Sequence, residues 1–159
     1  MTSGAISNRV ARIKAGNDPQ LIARLTSGYA ILGNQQPLDG CCMLLPDLPV
    51  ALLSGSNCPP TPTHLNDLPP RARAAFLTDL ALLGDAVIAA TGCERLNYLM
   101  LCNQVPELHG HVIPRYAHED AARRLMDPFA AYDFAAARKA DPGGRDAVLL
   151  SKLRQMIAR

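Results

Sequence analysis

The segment between Pro69 and Gly92 constrains the fold more than any other part of the sequence. Its apolar residues recur at steps of three and four, which places their side chains on one face of a helix. They are Phe76, Leu80, Leu83 and Val87. Proline is favoured in the first turn of a helix, and glycine is favoured just past its end. The pattern therefore predicts a helix over residues 69–90 that Gly92 ends.

Four short apolar runs bounded by turn residues predict β-strands. They lie at residues 28–33, 41–45, 96–102 and 107–113. Pro37 and Gly40 mark a turn between the first two runs, which predicts an antiparallel hairpin, and Pro114 is expected to end the last strand. We predict an α+β fold, in which an antiparallel sheet of four to five strands packs against the 69–90 helix.

The remaining segments are predicted to surround this core. Residues 8–15 and a second stretch that opens at Asp18-Pro19 indicate two short leading helices. Residues 46–70 contain seven prolines and are predicted to form a loop, and residues 117–144 are expected to be peripheral. The apolar spacing from Val148 to Ile157 predicts a final helix. We expect one domain over residues 1–159, with its core at about 21–116 and a C-terminal extension over 117–159.

The composition narrows the classes of function. With 48% hydrophobic and 19% charged residues the chain is globular, and a net charge of +2 is too small to indicate nucleic-acid binding. The first residues lack the apolar run of a signal peptide, and no segment is expected to form a membrane helix of about 20 apolar residues. The five cysteines form no C-x-x-C pair, which indicates reduced thiols. We expect a cytoplasmic protein with neither a membrane nor a nucleic acid as its partner.

Two of the four histidines lie one residue apart in the stretch VPELHGHVIPRY, residues 105–116. On a strand, Glu107, His109 and His111 would point to the same side, with neighbours about 6.6 Å apart, so that one phosphate group could contact both histidines. A neutral imidazole can attack an electrophile or transfer protons near neutral pH. The spacing alone leaves three readings open: ordinary surface or partly buried histidines, a metal site of the three residues, or a catalytic pair.

A longer match favours catalysis. VPELHGHVIPRY resembles the signature of the histidine triad (HIT) family of nucleotide hydrolases and transferases, in which His-x-His-x-His precedes two apolar residues and often Pro-Arg. Glu107 stands where the family has its first histidine. Residues 29–40 with 43–46 resemble the first hairpin of the family, residues 65–69 lead into its central helix, and residues 95–98 with Asn103 resemble the strand and turn before the motif. The resemblance covers about residues 21–116.

This resemblance implies a role for each matching residue. His109 would attack the α-phosphorus of a nucleotide and form a nucleotidyl-histidine that water resolves, while the main-chain carbonyl of Glu107 holds its other ring nitrogen. His111 would contact phosphate oxygens, stabilising charge or assisting the leaving group. The residues expected to bind the substrate are Asn34, Asn103, Gln104 and Glu107.

Glu107 is the departure from the family pattern. A carboxylate about 4 Å from a phosphate oxygen costs about 4 kcal/mol at a surface-like dielectric constant. We therefore expect Glu107 to point away from the phosphate, be protonated, pair with a cation or contact ribose hydroxyls, and to tune substrate choice or lower activity. The alternative to a hydrolase is a nucleotide-binding protein with little or no catalysis.

The resemblance also implies the partners. The expected substrate is a dinucleoside polyphosphate or a nucleoside phosphoramidate, and the family suggests a homodimer. No cofactor is required for the nucleophile, with Mg²⁺ as an option beside a polyphosphate. Arg115 is expected to pair at the surface, and Cys102 is expected to be a small core residue.

Overall fold

The computed structural model describes residues 4–158 and has a five-stranded antiparallel sheet at its centre, in the order β1-β2-β3-β5-β4. The strands are β1 (Leu21–Arg24), β2 (Gly28–Leu32), β3 (Cys42–Pro46), β4 (Arg95–Leu99) and β5 (Gly110–Arg115). The helices are α1 (Ala5–Lys14), α2 (Val50–Leu53), α3 (Pro70–Thr91), α4 (Pro128–Ala131) and α5 (Ala147–Ile157). The predicted α+β class, the antiparallel sheet and the long central helix are confirmed.

The inner face of the sheet packs against α3, as the periodicity predicted. Phe76, Leu83 and Val87 of the helix are fully buried with Leu44 and Val112 of the sheet. Gly110 permits this close contact, because a Cβ atom at that position would lie 2.7 Å from Cδ1 of Leu80. The absence of a side chain at 110 thus allows α3 to pack directly behind the histidine stretch.

The helix α3 is long and apolar enough to cross a membrane by length and composition alone. The expectation that no segment would pass this test is therefore wrong for residues 70–91. Those residues supply the core: Phe76, Leu80 and Leu83 of α3 are at most 3% exposed. Packing inside the domain accounts for part of the apolar composition of α3, whereas Leu77, Leu82 and Ile88 of the same helix are exposed.

The outer face of the sheet is covered in part by α1. Ile6, Val10 and Ile13 pack on Ile31 and Leu45 and form a second, smaller core. The sheet is therefore enclosed between α3 on one face and α1 on part of the other.

The predicted second leading helix at Asp18-Pro19 is absent, and β1 follows instead. Asp18 is buried, where its carboxylate accepts hydrogen bonds from Arg9, Arg12 and the N–H of Gln20. The side chain that was expected to cap a new helix instead holds α1 against the start of β1.

The strand of the histidine stretch begins and ends later than predicted. It spans Gly110–Arg115 and includes Pro114, which pairs with Leu96 of β4. Its pairing with β3 runs only to Cys42↔Val112, so Pro114 lies beyond the paired part of β3, where its missing N–H is tolerated. Because Glu107 and His109 precede the strand, the expected row of three side chains on one strand face is wrong.

The C-terminal extension is not peripheral. Residues 116–140, which we call the strap, lead from the end of β5 to the turn after β2, where Lys139 forms an isolated bridge with Gln35. The N–H of Ala140 donates to the carbonyl of Asn34 at 2.8 Å. Further on, Leu150 and Leu153 of α5 are buried in the main core. The extension is thus part of the same packed unit as residues 21–116.

Candidate active site

His109 is held in one orientation and is 6% exposed. Its Nδ1 lies 2.7 Å from the main-chain carbonyl oxygen of Glu107, as the resemblance implied. A carbonyl can only accept, so Nδ1 carries a proton, and in the neutral imidazole Nε2 keeps its lone pair. The bond depends on the irregular backbone before β5, where the N–H of Leu108 donates to the carbonyl of Pro62 at 2.7 Å. The long proline-rich loop therefore helps to shape the backbone beside His109.

His111 lies next to His109 and is covered by the strap. The two imidazole rings are edge to face with centroids 4.9 Å apart, and the ring of Phe129 contacts the ring of His111 edge to face at 5.3 Å. Burial, followed by the neighbouring His109, lowers the pKa of His111 to about 4. His111 is thus a neutral imidazole at neutral pH, able to donate or accept a hydrogen bond without a charge.

The side chain of Glu107 has partners other than the substrate contacts that the sequence suggested. Its carboxylate accepts hydrogen bonds from the N–H of Ile6 at 3.2 Å, from the N–H of Ser7 at 2.9 Å and from the Ser7 hydroxyl. Burial alone would raise the pKa of Glu107, but these hydrogen bonds outweigh it and hold the pKa below its usual value. The carboxylate sits at the positive end of α1, where a negative charge is favoured.

The hydrogen bonds of Glu107 bear on whether Glu107, His109 and His111 could form a metal site. Residues 4–158 contain no group of three or more His, Cys, Asp or Glu side chains placed to hold a metal ion. Glu107 was the carboxylate in that reading, and its oxygens are bonded to the first turn of α1. The side chains of Glu107, His109 and His111 thus do not converge as a ligand set.

Asn34 lies in the turn after β2, where a buried ion pair orients its side chain. Arg9 donates from Nη1 to Oδ1 of Asn34 at 2.7 Å and from Nε to Asp18 at 2.9 Å. Because Arg9 can only donate, the carbonyl oxygen of Asn34 faces it and the amide NH₂ group points elsewhere. The side chain of Asn34 is exposed and presents a donor.

Asn103 and Gln104 are exposed residues in the turn between β4 and β5. Cys102 just before them has a φ of 53°, in the left-handed region that favours glycine. Cys102 is half-buried and packs at the edge of the main core, as expected. The structure thus brings His109 and His111 into contact. It places Asn34 in the turn after β2, and Asn103 and Gln104 in the turn after β4.

Arg115 is buried, which corrects its expected place at the surface. Its Nη1 donates to Oδ1 of Asn97 at 2.9 Å and to the carbonyl of Met126 at 2.8 Å, and its Nη2 donates to the carbonyl of Arg123 at 2.7 Å. It also forms an ion pair with Glu119, whose carboxylate is 1% exposed. The arginine of the motif is therefore the anchor of the strap.

The sequence reasoning missed three other residues of this site. Ser7 and Arg9 are on α1, and Ser7 precedes Glu107 of the motif by 100 residues. Phe129 is on the strap. No local pattern marks Ser7 or Arg9. The sequence does indicate a helix start just before Phe129, at Asp127-Pro128. The Asp127 side chain accepts hydrogen bonds from the N–H groups of Phe129 and Ala130.

A cavity of about 310 Å³ opens beside this site, between α1 and the proline-rich loop. Glu107 and Leu108 line it together with Ser7, Leu53 and Cys58, whereas neither His109 nor His111 does. The cavity is therefore separate from the histidine pair, and Glu107 lies between the two.

Comparison with known proteins identifies the fold. No protein-family model matches the chain, and no curated protein matches it. A histidine triad protein from Bradyrhizobium japonicum has a TM-score of 0.67 and 21% identity over 92% of this chain and 95% of its own. One from Sinorhizobium meliloti has a TM-score of 0.67 and 19% identity over 93% of each chain. A hypothetical histidine triad nucleotide-binding protein from Sulfolobus tokodaii has a TM-score of 0.67 and 15% identity over 95% and 91%. The chain has the histidine triad fold.

Proposed function

We propose that this chain, which has the histidine triad fold, is a nucleotide hydrolase or nucleotidyl transferase that acts at the α-phosphate of its substrate. One observation carries the proposal: Nδ1 of His109 is 2.7 Å from the carbonyl of Glu107. In the neutral imidazole, that hydrogen bond places the proton on Nδ1 and leaves the lone pair of Nε2 for attack. The proposed substrates are dinucleoside polyphosphates or nucleoside phosphoramidates.

The proposed reaction has two displacement steps. Nε2 of His109 forms a bond to the α-phosphorus as the P–O or P–N bond to the leaving group breaks, and the leaving group takes up a proton. Water or another acceptor hydroxyl then attacks phosphorus, gives up a proton, and the P–N bond to His109 breaks. The two steps replace one difficult displacement by two easier ones.

His111 has a narrower role in this proposal than the motif alone suggested. Burial keeps it neutral at neutral pH, with its pKa lowered to about 4. A neutral imidazole can donate a hydrogen bond to a phosphate oxygen, but it brings no positive charge. We propose that His111 orients the phosphate, and that the amides of Asn34, Asn103 and Gln104 supply further neutral donors.

The alternative function, nucleotide binding without catalysis, was suggested by the negative charge of Glu107 in the motif. A carboxylate facing the phosphate would oppose the anionic transition state. The hydrogen bonds from Ile6 and Ser7 compensate the charge of Glu107, and its main-chain carbonyl is free to hold His109. These contacts support the enzyme over the binding protein.

The test is a turnover assay with a histidine control. Purified wild type, His109→Ala and His118→Ala would be incubated with diadenosine tetraphosphate and an adenosine phosphoramidate, with and without EDTA, and AMP measured by HPLC. His118 is exposed and stacks on Tyr116, so its variant controls for loss of a histidine. We expect wild type and His118→Ala to release AMP also in EDTA, and His109→Ala to lose at least a thousandfold in rate. Nucleotide binding without AMP release by wild type would favour the binding protein.

We also propose a homodimer, through the edge strand β4 and the neighbouring side of α3. Tyr98 of β4 is 46% exposed, and Leu77 and Ile88 of α3 are 42% and 45% exposed. The Tyr98 hydroxyl lies over Gly84, so these side chains border one surface. An unpaired strand edge beside apolar side chains favours pairing with a second copy. Light scattering of wild type and Ile88→Glu tests this: a dimer that becomes a monomer supports it, and a wild-type monomer contradicts it.

A further inference from the structure

The cavity between α1 and the proline-rich loop is large enough to hold a small organic molecule. Its volume of about 310 Å³ lies within the range of small-molecule sites, about 300–1,000 Å³. Most of the residues that line it are apolar. They are four prolines together with Ile6, Val10, Leu48, Leu53 and Leu108. A molecule that fits this lining therefore has an apolar body.

The charged residues that line the cavity are both acidic. They are Asp47 and Glu107, and no lysine, arginine or histidine is among the described residues of the lining. Asp47 already has cationic partners, because Lys14 lies 2.5 Å and Arg24 lies 3.5 Å from its carboxylate. The electrostatic character of the lining thus opposes an anionic ligand, and Glu107 is the group that could attract a cationic one.

Glu107 differs from most buried carboxylates of this protein in its partners. The side chains of Asp18, Glu119 and Asp146 are at most 3% exposed, and each pairs with an arginine. Glu107 is 4% exposed, and its carboxylate accepts hydrogen bonds from N–H and O–H groups in the first turn of α1. Those donors are neutral. Within residues 4–158 the carboxylate of Glu107 thus has no cationic side chain as a partner.

The charge of Glu107 is present at neutral pH. Against the effect of burial, the hydrogen bonds from Ser7 and Ile6 hold the pKa of Glu107 below its usual value, so the carboxylate is ionised. The hydrogen bonds stabilise the charge but bring no counter-ion, and the end of α1 supplies only about half an elementary positive charge. Buried charges are normally paired or bound to a metal. Because Glu107 lines the cavity, a bound ligand is a possible source of the missing cation.

We propose that this cavity is a binding site for a small organic amine with an apolar body, whose ammonium group donates to the carboxylate of Glu107 while the body contacts the leucines and prolines. An ammonium group loses water on entering, and the carboxylate offsets that loss. An uncharged molecule of the same shape fills the cavity but leaves Glu107 without a counter-ion. The site is separate from the histidine pair and does not depend on the proposed reaction.

The experiment compares two probes of equal size that differ in charge. 2-Phenylethylamine is a cation at pH 7, and 2-phenylethanol is neutral. Dissociation constants for both would be measured by NMR titration with wild type, Glu107→Gln and Asp79→Asn. Asp79 is the matched control, because it is also 4% exposed and accepts from the N–H and hydroxyl of Ser27, but it does not line the cavity. The ratio of the two constants in one variant cancels any loss of folded protein.

Two further variants locate the bound probe. Cys58 lines the cavity at a distance in sequence from Glu107, so Cys58→Phe should fill the space and weaken the binding of both probes without removing the carboxylate. His109 does not line the cavity, so His109→Ala should bind both probes as wild type does. These two variants together distinguish the cavity from the histidine pair.

We expect wild type and Asp79→Asn to bind the amine about tenfold more tightly than the alcohol, the size of one charge-assisted hydrogen bond, and Glu107→Gln to bind both about equally. Equal affinities of wild type for the two probes would overturn the role of Glu107, even if Glu107→Gln did not fold. Unchanged binding of the amine by Cys58→Phe, or its loss in His109→Ala, would overturn the location. No binding of either probe by wild type would overturn the site altogether.

Discussion

The carboxylate of Glu107 accepts a hydrogen bond from the N–H of Ser7 at 2.9 Å, although 100 residues separate the two in the sequence. The same residue uses its main-chain carbonyl to hold Nδ1 of His109. Glu107 therefore connects the proposed nucleophile to the first turn of α1, with its side chain serving the fold and its backbone serving the site. The substitution of the first histidine in the motif is thus compatible with an intact arrangement at His109.

Replacing Glu107 by Gln should cost stability and spare activity. Glutamine removes the negative charge that Glu107 places at the positive end of α1, and it removes at least one of the acceptors for Ile6 and Ser7. The free energy of unfolding should fall by about 2 kcal/mol. The backbone carbonyl remains, so kcat should change less than about threefold. Urea unfolding at pH 7 and the turnover assay measure the two effects. A variant of wild-type stability whose kcat collapses would mean that the side chain acts on the substrate, as the sequence first suggested.

The part of the fold that sequence could predict is the part fixed by local pattern. The hairpin β2–β3 and the helix α3 follow from apolar spacing and from proline and glycine at their ends. The contacts that the sequence could not predict join distant residues. Asp18 looked like a helix cap but is bonded to Arg9 and Arg12, and Arg115 looked exposed but anchors the strap. A sequence does not distinguish a solvated charged side chain from one that is buried with partners. Asp18 and Arg115 were both predicted wrongly for this reason.

His111 should make stability sensitive to pH in a defined window. Burial lowers its pKa to about 4 in the folded chain, whereas the unfolded value is near 6.5. Above pH 6.5 both states are neutral at this residue. As the pH falls from 6.5 towards 4 the unfolded state binds a proton and the folded state does not, so up to about 3 kcal/mol of stability is lost.

The check on this prediction is urea unfolding of wild type and His111→Asn at pH 7.5 and pH 5. The difference in unfolding free energy between the two pH values should be smaller for His111→Asn. Equal differences in the two proteins would show that other groups cause the loss in acid.

Arg115→Lys should release the strap. A lysine cannot reproduce the contacts to Asn97, Met126 and Glu119 at once, and we expect a loss of about 3 kcal/mol in stability. Hydrogen exchange measured by mass spectrometry should become faster in residues 116–132. Arg95→Lys is the control, because Arg95 pairs with Arg115 across the strands but its side chain is 64% exposed. Similar exchange in both variants would contradict the anchoring role.

Arg9 and Arg12, which share the carboxylate of Asp18, should differ in their contribution to the free energy of unfolding. Arg9 and Arg12 both pair with Asp18, but their side chains are 9% and 53% exposed. Burial alone raises the pKa of Asp18, while hydrogen bonds from both arginines lower it below its usual value. Arg9→Met should cost about 3 kcal/mol in unfolding free energy, because it leaves the buried carboxylate poorly paired, and Arg12→Met should cost less than about 1 kcal/mol. Equal losses in urea unfolding would mean that burial of the pair does not matter.

The backbone at Cys102 offers a substitution that should stabilise the protein. Among residues 4–158 it is the one non-glycine residue with a positive φ, at 53°. The left-handed conformation costs a residue with a Cβ atom about 1 kcal/mol relative to glycine. Cys102→Gly should therefore raise the free energy of unfolding by a similar amount, since the side chain is only half-buried and little packing is lost. Cys93→Gly, at a buried cysteine, is the control and should destabilise the chain. Unfolding midpoints in urea would decide, and a loss of stability in Cys102→Gly would show that the packing of this thiol outweighs the backbone strain.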